Sequence, residues 1–128
     1  MLGIVGFGKI GKCTAEKAMG LVKRVIACDP HADDAAFAER GVTRVSKEEL
    51  LTHADIIVNH MCLTDDNVRF FDEAAFDLMA RRPIFINLGR GCALMRKRLW
   101  TRSMRASSVR SARTCCTTRL RIWLRTSW

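Results

Sequence analysis

Leu2-Gly3-Ile4-Val5-Gly6-Phe7-Gly8-Lys9-Ile10-Gly11 decides the fold. The first four residues are a short apolar run that stops at a glycine, as a strand buried on both faces does. The next six read G-x-G-x-x-G, and residues 9–22 then set Ile10, Cys13, Ala18 and Leu21 at helical spacing, with Lys and Glu between them. Strand, glycine turn and helix in that order form the phosphate-holding start of a dinucleotide-binding βαβ unit. Gly6 permits the tight turn, Gly8 lets the backbone approach a pyrophosphate, and Gly11 lets the helix pack close to the strand. The unpaired N–H groups of the helix start then face the phosphates. Gly6, Phe7, Gly8, Lys9, Ile10 and Gly11 are therefore candidate cofactor contacts.

Working outward, Val25-Ile26-Ala27-Cys28 is a second buried strand, stopped by Asp29-Pro30. Asp29 lies 18 residues after Gly11, about where a carboxylate grips the adenosine ribose hydroxyls. Its charge favours NAD over NADP, because a 2′-phosphate would meet it. These residues alone leave open an FAD site, an S-adenosylmethionine site, or an ordinary βα turn with a capping Asp. A short helix over about 33–40 ends at Gly41, and a brief strand follows at 42–45. Ser46-Lys47-Glu48-Glu49 reads as a capping box that starts a helix. Asp55–Asn59 is the fourth strand, 72–80 a helix, and Pro83–Asn87 the fifth strand. The expected fold class is α/β, a Rossmann-type doubly wound parallel sheet of about five strands, ordered 3-2-1-4-5.

Charge divides the 128 residues in two. Residues 1–94 hold 12 Lys+Arg and all 13 Asp+Glu, whereas 95–128 hold 10 Lys+Arg and no acid, so the overall +9 belongs to the tail. The expected organisation is a partial nucleotide-binding domain over 1–94 and an irregular basic tail over 95–128, disordered or poorly packed. Six cysteines, Cys13, Cys28, Cys62, Cys92, Cys115 and Cys116, form no C-x-x-C pair. They read as free thiols in a reducing compartment, with no metal site expected. No apolar run approaches a membrane span and no signal-peptide pattern opens the chain, so a cytoplasmic protein with no membrane partner is expected.

The motif order resembles the D-isomer-specific 2-hydroxyacid dehydrogenases, the group that includes phosphoglycerate dehydrogenase. The matching stretches are 2–11 (LGIVGFGKIG), 25–30 (VIACDP), 45–51 (VSKEELL), 54–64 (ADIIVNHMCLT), 76–79 (FDLM) and 83–91 (PIFINLGRG). The H-x-x-L-T loop and N-x-G-R-G together are specific to that group. The resemblance implies NAD as cofactor and a 2-hydroxy or 2-keto acid as the small-molecule substrate of the parent enzyme, which is a homodimer in the family. It implies that Arg90 holds the substrate carboxylate and polarises its carbonyl, a task suited to a guanidinium fork. It also implies that His60, Leu63 and Thr64 belong to the loop beside the nicotinamide side of the pocket, and that His60, Thr64 and Asn87 are cofactor contacts. Where the family usually has a proline in that loop, this chain has Cys62.

The family's catalytic His and its partner Glu are expected downstream of N-x-G-R-G, yet residues 95–128 contain neither residue type. With Met1 at the first strand, the flanking substrate domain is also expected to be missing. The chain is therefore expected to bind NAD without completing catalysis. A shift of coding frame near Leu94 accounts for the tail. Re-read one base out of phase, 96–108 is compatible with A-E-K-A-L-D-A-L-D-A-G-K-L, close to the family's next segment. Reading the encoding DNA in three frames tests this. The rival is a dinucleotide-binding module with a basic nucleic-acid arm, using Trp100, Trp123 and Trp128 to stack on bases. Contact with nucleic acid is otherwise expected only through non-specific charge. With no sixth strand legible, the fifth is expected to form an unprotected edge that invites association.

Overall fold

A computed structural model of the chain describes residues 1–62, 64–89 and 111–114. Its strands are β1 (Leu2–Val5), β2 (Val25–Cys28), β3 (Thr43–Arg44), β4 (Ile56–Asn59), β5 (Ile84–Asn87) and β6 (Ser111–Thr114). Its α-helices are α1 (Lys9–Ala18), α2 (Asp34–Ala38), α3 (Lys47–His53) and α4 (Glu73–Asp77). Every strand pairing is parallel, and the order is β3-β2-β1-β4-β5-β6. The chain moves outward from β1 to β3 and then returns to the far side of β1 with β4. In doubly wound sheets, ligands bind at the carboxyl ends of the strands beside such a reversal, here β1 and β4.

Successive strand residues point to opposite faces, and the core divides accordingly. Val5, Ile26 and Ile57 join Leu50, Leu51, Phe71, Phe76 and Phe85 on one side. Ile4, Ala27 and Val58 join Phe7, Ala15, Phe37 and Val42 on the other. Unbroken apolar runs were needed because both faces are covered. Phe71 packs edge-on against Phe85 with centroids 4.8 Å apart, and Phe7 stacks flat on Phe37 at 4.4 Å.

Two helix starts are fixed by side chains. Ser46 Oγ accepts from Glu49 N–H at 3.1 Å, and Asp72 Oδ1 accepts from Ala75 N–H at 2.9 Å. Helix α1 ends at Ala18 rather than continuing to 22, and Leu21 is 83% exposed. Its helical spacing is therefore not used for burial. Among the described residues no helix is long and apolar enough to cross a membrane.

The five expected strands stand in the expected order, but β5 is not the edge of the sheet. Residues Ser111–Thr114, inside the basic tail, pair with Ile84–Asn87 in parallel. Pairing needs only backbone N–H and C=O groups, which β5 presents in a row, so a segment without apolar pattern can take the place. The ground for expecting association through a bare β5 is thereby removed. The rest of the tail, with Leu63 and Arg90, lies outside the described residues.

Candidate functional site: the glycine turn and its carboxylate

The site is built on the exit from β1. Gly6 has φ +90°, where a side chain is strained, and a Cβ there would also lie 2.7 Å from Met61 N. A Cβ on Gly11 would overlap the Gly6 carbonyl oxygen. The turn thus folds back so tightly that α1 rests on its own entry loop. Gly8, the N-cap of α1, is different: a Cβ there would meet nothing within 4 Å. The space before the helix start is open and faced by backbone donors, as an anionic phosphate pair requires.

Phe7 sends its ring into the core, and its N–H donates to Asp29 Oδ2 at 2.6 Å. Asp29 Oδ1 accepts from His31 N–H at 2.9 Å. The carboxylate at the end of β2 is therefore held against the glycine turn, with lone pairs left for hydroxyl donors. Lys9 and Ile10 are exposed on the first turn of α1, Ile10 by 67%. Beside Asp29 a cleft of about 670 Å³ opens between the ends of β2 and β3, walled by Pro30, Arg44, Val45, Lys47 and Phe70. Arg44 bonds Asp34 and the Asp29 carbonyl, with its guanidinium over Phe37. Burial, and then the Asp29 charge, push the Cys28 thiol upward, so it stays protonated in this wall.

On the other side of the turn, His60 follows β4. Its Nε2 lies 2.9 Å from Thr14 Oγ1 on α1, a partner that sequence reading missed. Thr14 falls one turn beyond Gly11 on the face that α1 presents to the sheet, which was the available signal. Thr64 is exposed, and its N–H donates to Asn67 Oδ1 at 2.9 Å. Asn87 is fully buried at the end of β5, bonded to Asn59. The glycine turn, Asp29, His60 and Asn87 thus gather at one end of the sheet, while Thr64 stands farther along the loop after β4.

Burial holds His60 below its ordinary value of 6.5. The folded state therefore favours the neutral ring, and the unfolded chain binds more protons as pH drops through 6.5. Stability is accordingly full above that value and is lost as pH falls toward the depressed folded value. Thermal melts at pH 7 and pH 5 are expected to show a larger drop for the unaltered chain than for His60→Gln, which does not titrate. Equal drops would contradict the assignment.

Comparison with known proteins completes the description. The family model described as "D-isomer specific 2-hydroxyacid dehydrogenase, NAD binding domain" matches residues 1–112. The chain belongs to this family. It is 35% identical over 92 residues to D-lactate dehydrogenase of Escherichia coli (strain K12), covering 72% of this chain and 28% of that protein. It is 36% identical over 90 residues to D-3-phosphoglycerate dehydrogenase 2, chloroplastic, of Arabidopsis thaliana, covering 70% of this chain and 14% of the relative. The apo-structure of the Escherichia coli D-lactate dehydrogenase superposes with a TM-score of 0.80 at 30% identity, over 88% of this chain and 35% of that one. The chain therefore spans well under half the length of these relatives. It is an NAD-binding domain of the D-2-hydroxyacid dehydrogenase family, and the open glycine turn with its adjacent carboxylate fits that cofactor.

Proposed function

We propose that this domain is the coenzyme-binding half of an oxidoreductase that transfers a hydride between NAD and C2 of a D-2-hydroxy acid or its 2-keto counterpart. The observation that carries the reading is the Asp29 carboxylate held 2.6 Å from Phe7 N–H, inside a glycine turn left open at Gly8. Gly6, Phe7, Gly8, Lys9, Ile10 and Gly11 form the pyrophosphate site: Gly6 and Gly11 shape the turn, Phe7 N–H holds the Asp29 carboxylate, and the helix start at Gly8, Lys9 and Ile10 turns its N–H groups to the phosphates. Asp29 accepts from the adenosine ribose, and the adenine enters the neighbouring cleft. When bound, NAD supplies the hydride acceptor or, reduced, the donor.

His60, Thr64 and Asn87 border the nicotinamide half, on the β4–β5 side of the switch point. Arg90 pairs its guanidinium with the substrate carboxylate and polarises the carbonyl. It follows directly on Gly89, whose N–H is tied to Asn87 Oδ1 at 3.2 Å. The proton that accompanies hydride transfer needs a positioned acid. The three histidines here are His31, His53 and His60, all before Arg90, whereas the family's acid–base pair comes after it. Cofactor binding is the part of the reaction that these residues serve, in a cytoplasmic setting.

Asp29 makes the proposal testable. A 2′-phosphate beside this carboxylate is repelled, so NAD is expected to bind more tightly than NADP. Asn at 29 keeps one acceptor for the turn and removes the charge. The NAD-to-NADP affinity ratio of Asp29→Asn, measured by calorimetric titration, is expected to fall about tenfold, about 1.4 kcal/mol. A ratio that does not move would remove Asp29 from the ribose site.

A further inference from the structure

Asn59 and Asn87 are the buried polar side chains among the described residues, and neither has exposed surface. They end β4 and β5 and face each other in the register of the sheet. Asn59 Nδ2 donates to Asn87 Oδ1 at 2.8 Å. Each oxygen also serves a loop: Asn59 Oδ1 accepts from Met61 N–H at 3.0 Å, and Asn87 Oδ1 accepts from Gly89 N–H at 3.2 Å. Backbone N–H groups can only donate, so both amide orientations are fixed and flipping either one loses bonds. What remains is Asn87 Nδ2, buried with no partner among the described residues.

The loops held this way are in contact. A Cβ on Gly89 would lie 2.7 Å from Met61 O, and the Gly6 Cβ position is equally close to Met61 N. The glycine turn, the 60–61 backbone and Gly89 are therefore packed in series, with the amide pair joining the last two. Burying two amides costs stability for each polar group left unpaired, and an apolar pair would avoid that cost. The arrangement contributes geometry instead: it carries the spacing of the two strands, which the backbone bonds Leu88 N–H to Asn59 O at 2.9 Å and His60 N–H to Val5 O at 2.7 Å maintain up to the strand ends, on to Met61 and Gly89.

With the adenosine half over β2, as proposed above and on which this step rests, the loops after β4 and β5 receive the nicotinamide half. We propose that Asn59 is a positioning residue for the nicotinamide end of NAD. Paired with Asn87, it sets the gap between the loop at His60–Met61 and the loop at Leu88–Gly89, and through Met61 their distance from the glycine turn. It acts through those backbones and touches no cofactor itself.

The test titrates the full chain and Asn59→Leu with NAD and with ADP-ribose, which lacks the nicotinamide ring. The unaltered chain is expected to prefer NAD. The variant is expected to lose about tenfold in NAD affinity, the scale of one buried hydrogen bond, and less than about twofold for ADP-ribose. Equal losses for both ligands, no loss, or an unaltered chain that prefers neither would overturn the proposal. A second measurement needs no variant, which matters if Asn59→Leu fails to fold. Amide hydrogen exchange of the unaltered chain is expected to show Met61 and Gly89 protected to about the level of Ile57 in β4; free exchange at either overturns the clasp. Failure of the unaltered chain to bind ADP-ribose would instead overturn the placement of the adenosine half, and with it the positioning role.

Discussion

Gly11→Ala is expected to cost the chain about 3 kcal/mol of stability, moving the urea midpoint down by about 1–2 M. The added methyl falls on the Gly6 carbonyl oxygen, with the Gly6 carbonyl carbon 3.2 Å away and Ile4 Cγ2 at 3.4 Å. Neither of the first two atoms belongs to a side chain that could rotate aside. Gly6 cannot retreat, because its own Cβ position is closed by Met61 and His60 backbone atoms. The overlap is relieved only by moving α1 off the strand, which opens the contacts of Ala15 and Phe7 with the core around Ala27 and Phe37. NAD binding should fail together with stability, since the helix start and Asp29 would no longer share one geometry. An unchanged urea midpoint would show that α1 does not rest on the turn as described.

Gly8→Val is expected to produce the opposite pattern, an intact fold with lost binding. Gly8 has φ −74° and ψ −164°, an extended conformation that any residue adopts, and its Cβ direction is empty to 4 Å. The cost to the fold is that of a poor N-cap, up to about 1 kcal/mol. The side chain would nevertheless fill the space where backbone and pyrophosphate must meet. NAD affinity is expected to fall at least about 100-fold, about 2.7 kcal/mol, with Gly8→Ala between the two. Paired urea melts and NAD titrations separate the two glycines: one variant loses both properties, the other only binding. Retained affinity in Gly8→Val would mean that the phosphates lie elsewhere.

The legible parts of the fold were those in which local sequence and burial say the same thing. Strands β1, β2, β4 and β5 are continuous apolar runs because helices cover both faces. Ser46 starts a helix by a bond to the N–H group three residues on, a local matter that residue type reveals. Leu21 misled because helical spacing carries no information on whether a partner surface exists; the chain leaves the helix at Met19 and Leu21 stays in solvent. Ser111–Thr114 was not legible because S-A-R-T has no apolar pattern, and its pairing with β5 depends on a neighbour's backbone. At the site, the tight turn at Gly6 and Gly11 and the nearness of Asp29 to it could be read because spacing along the chain sets both. Thr14 and Asn59 could not. Asn59 reads as an unremarked polar residue at a strand end until the register sets it opposite Asn87, 28 positions away.

Calorimetric titration of NAD into the unaltered chain, once cooperative unfolding has shown the sample to be folded, bears most directly on whether phosphates settle at Gly8 with the sugar at Asp29. A saturable heat for NAD below millimolar concentration is expected, and a weaker one for NADP. No heat at millimolar NAD, or tighter binding of NADP, would contradict that placement.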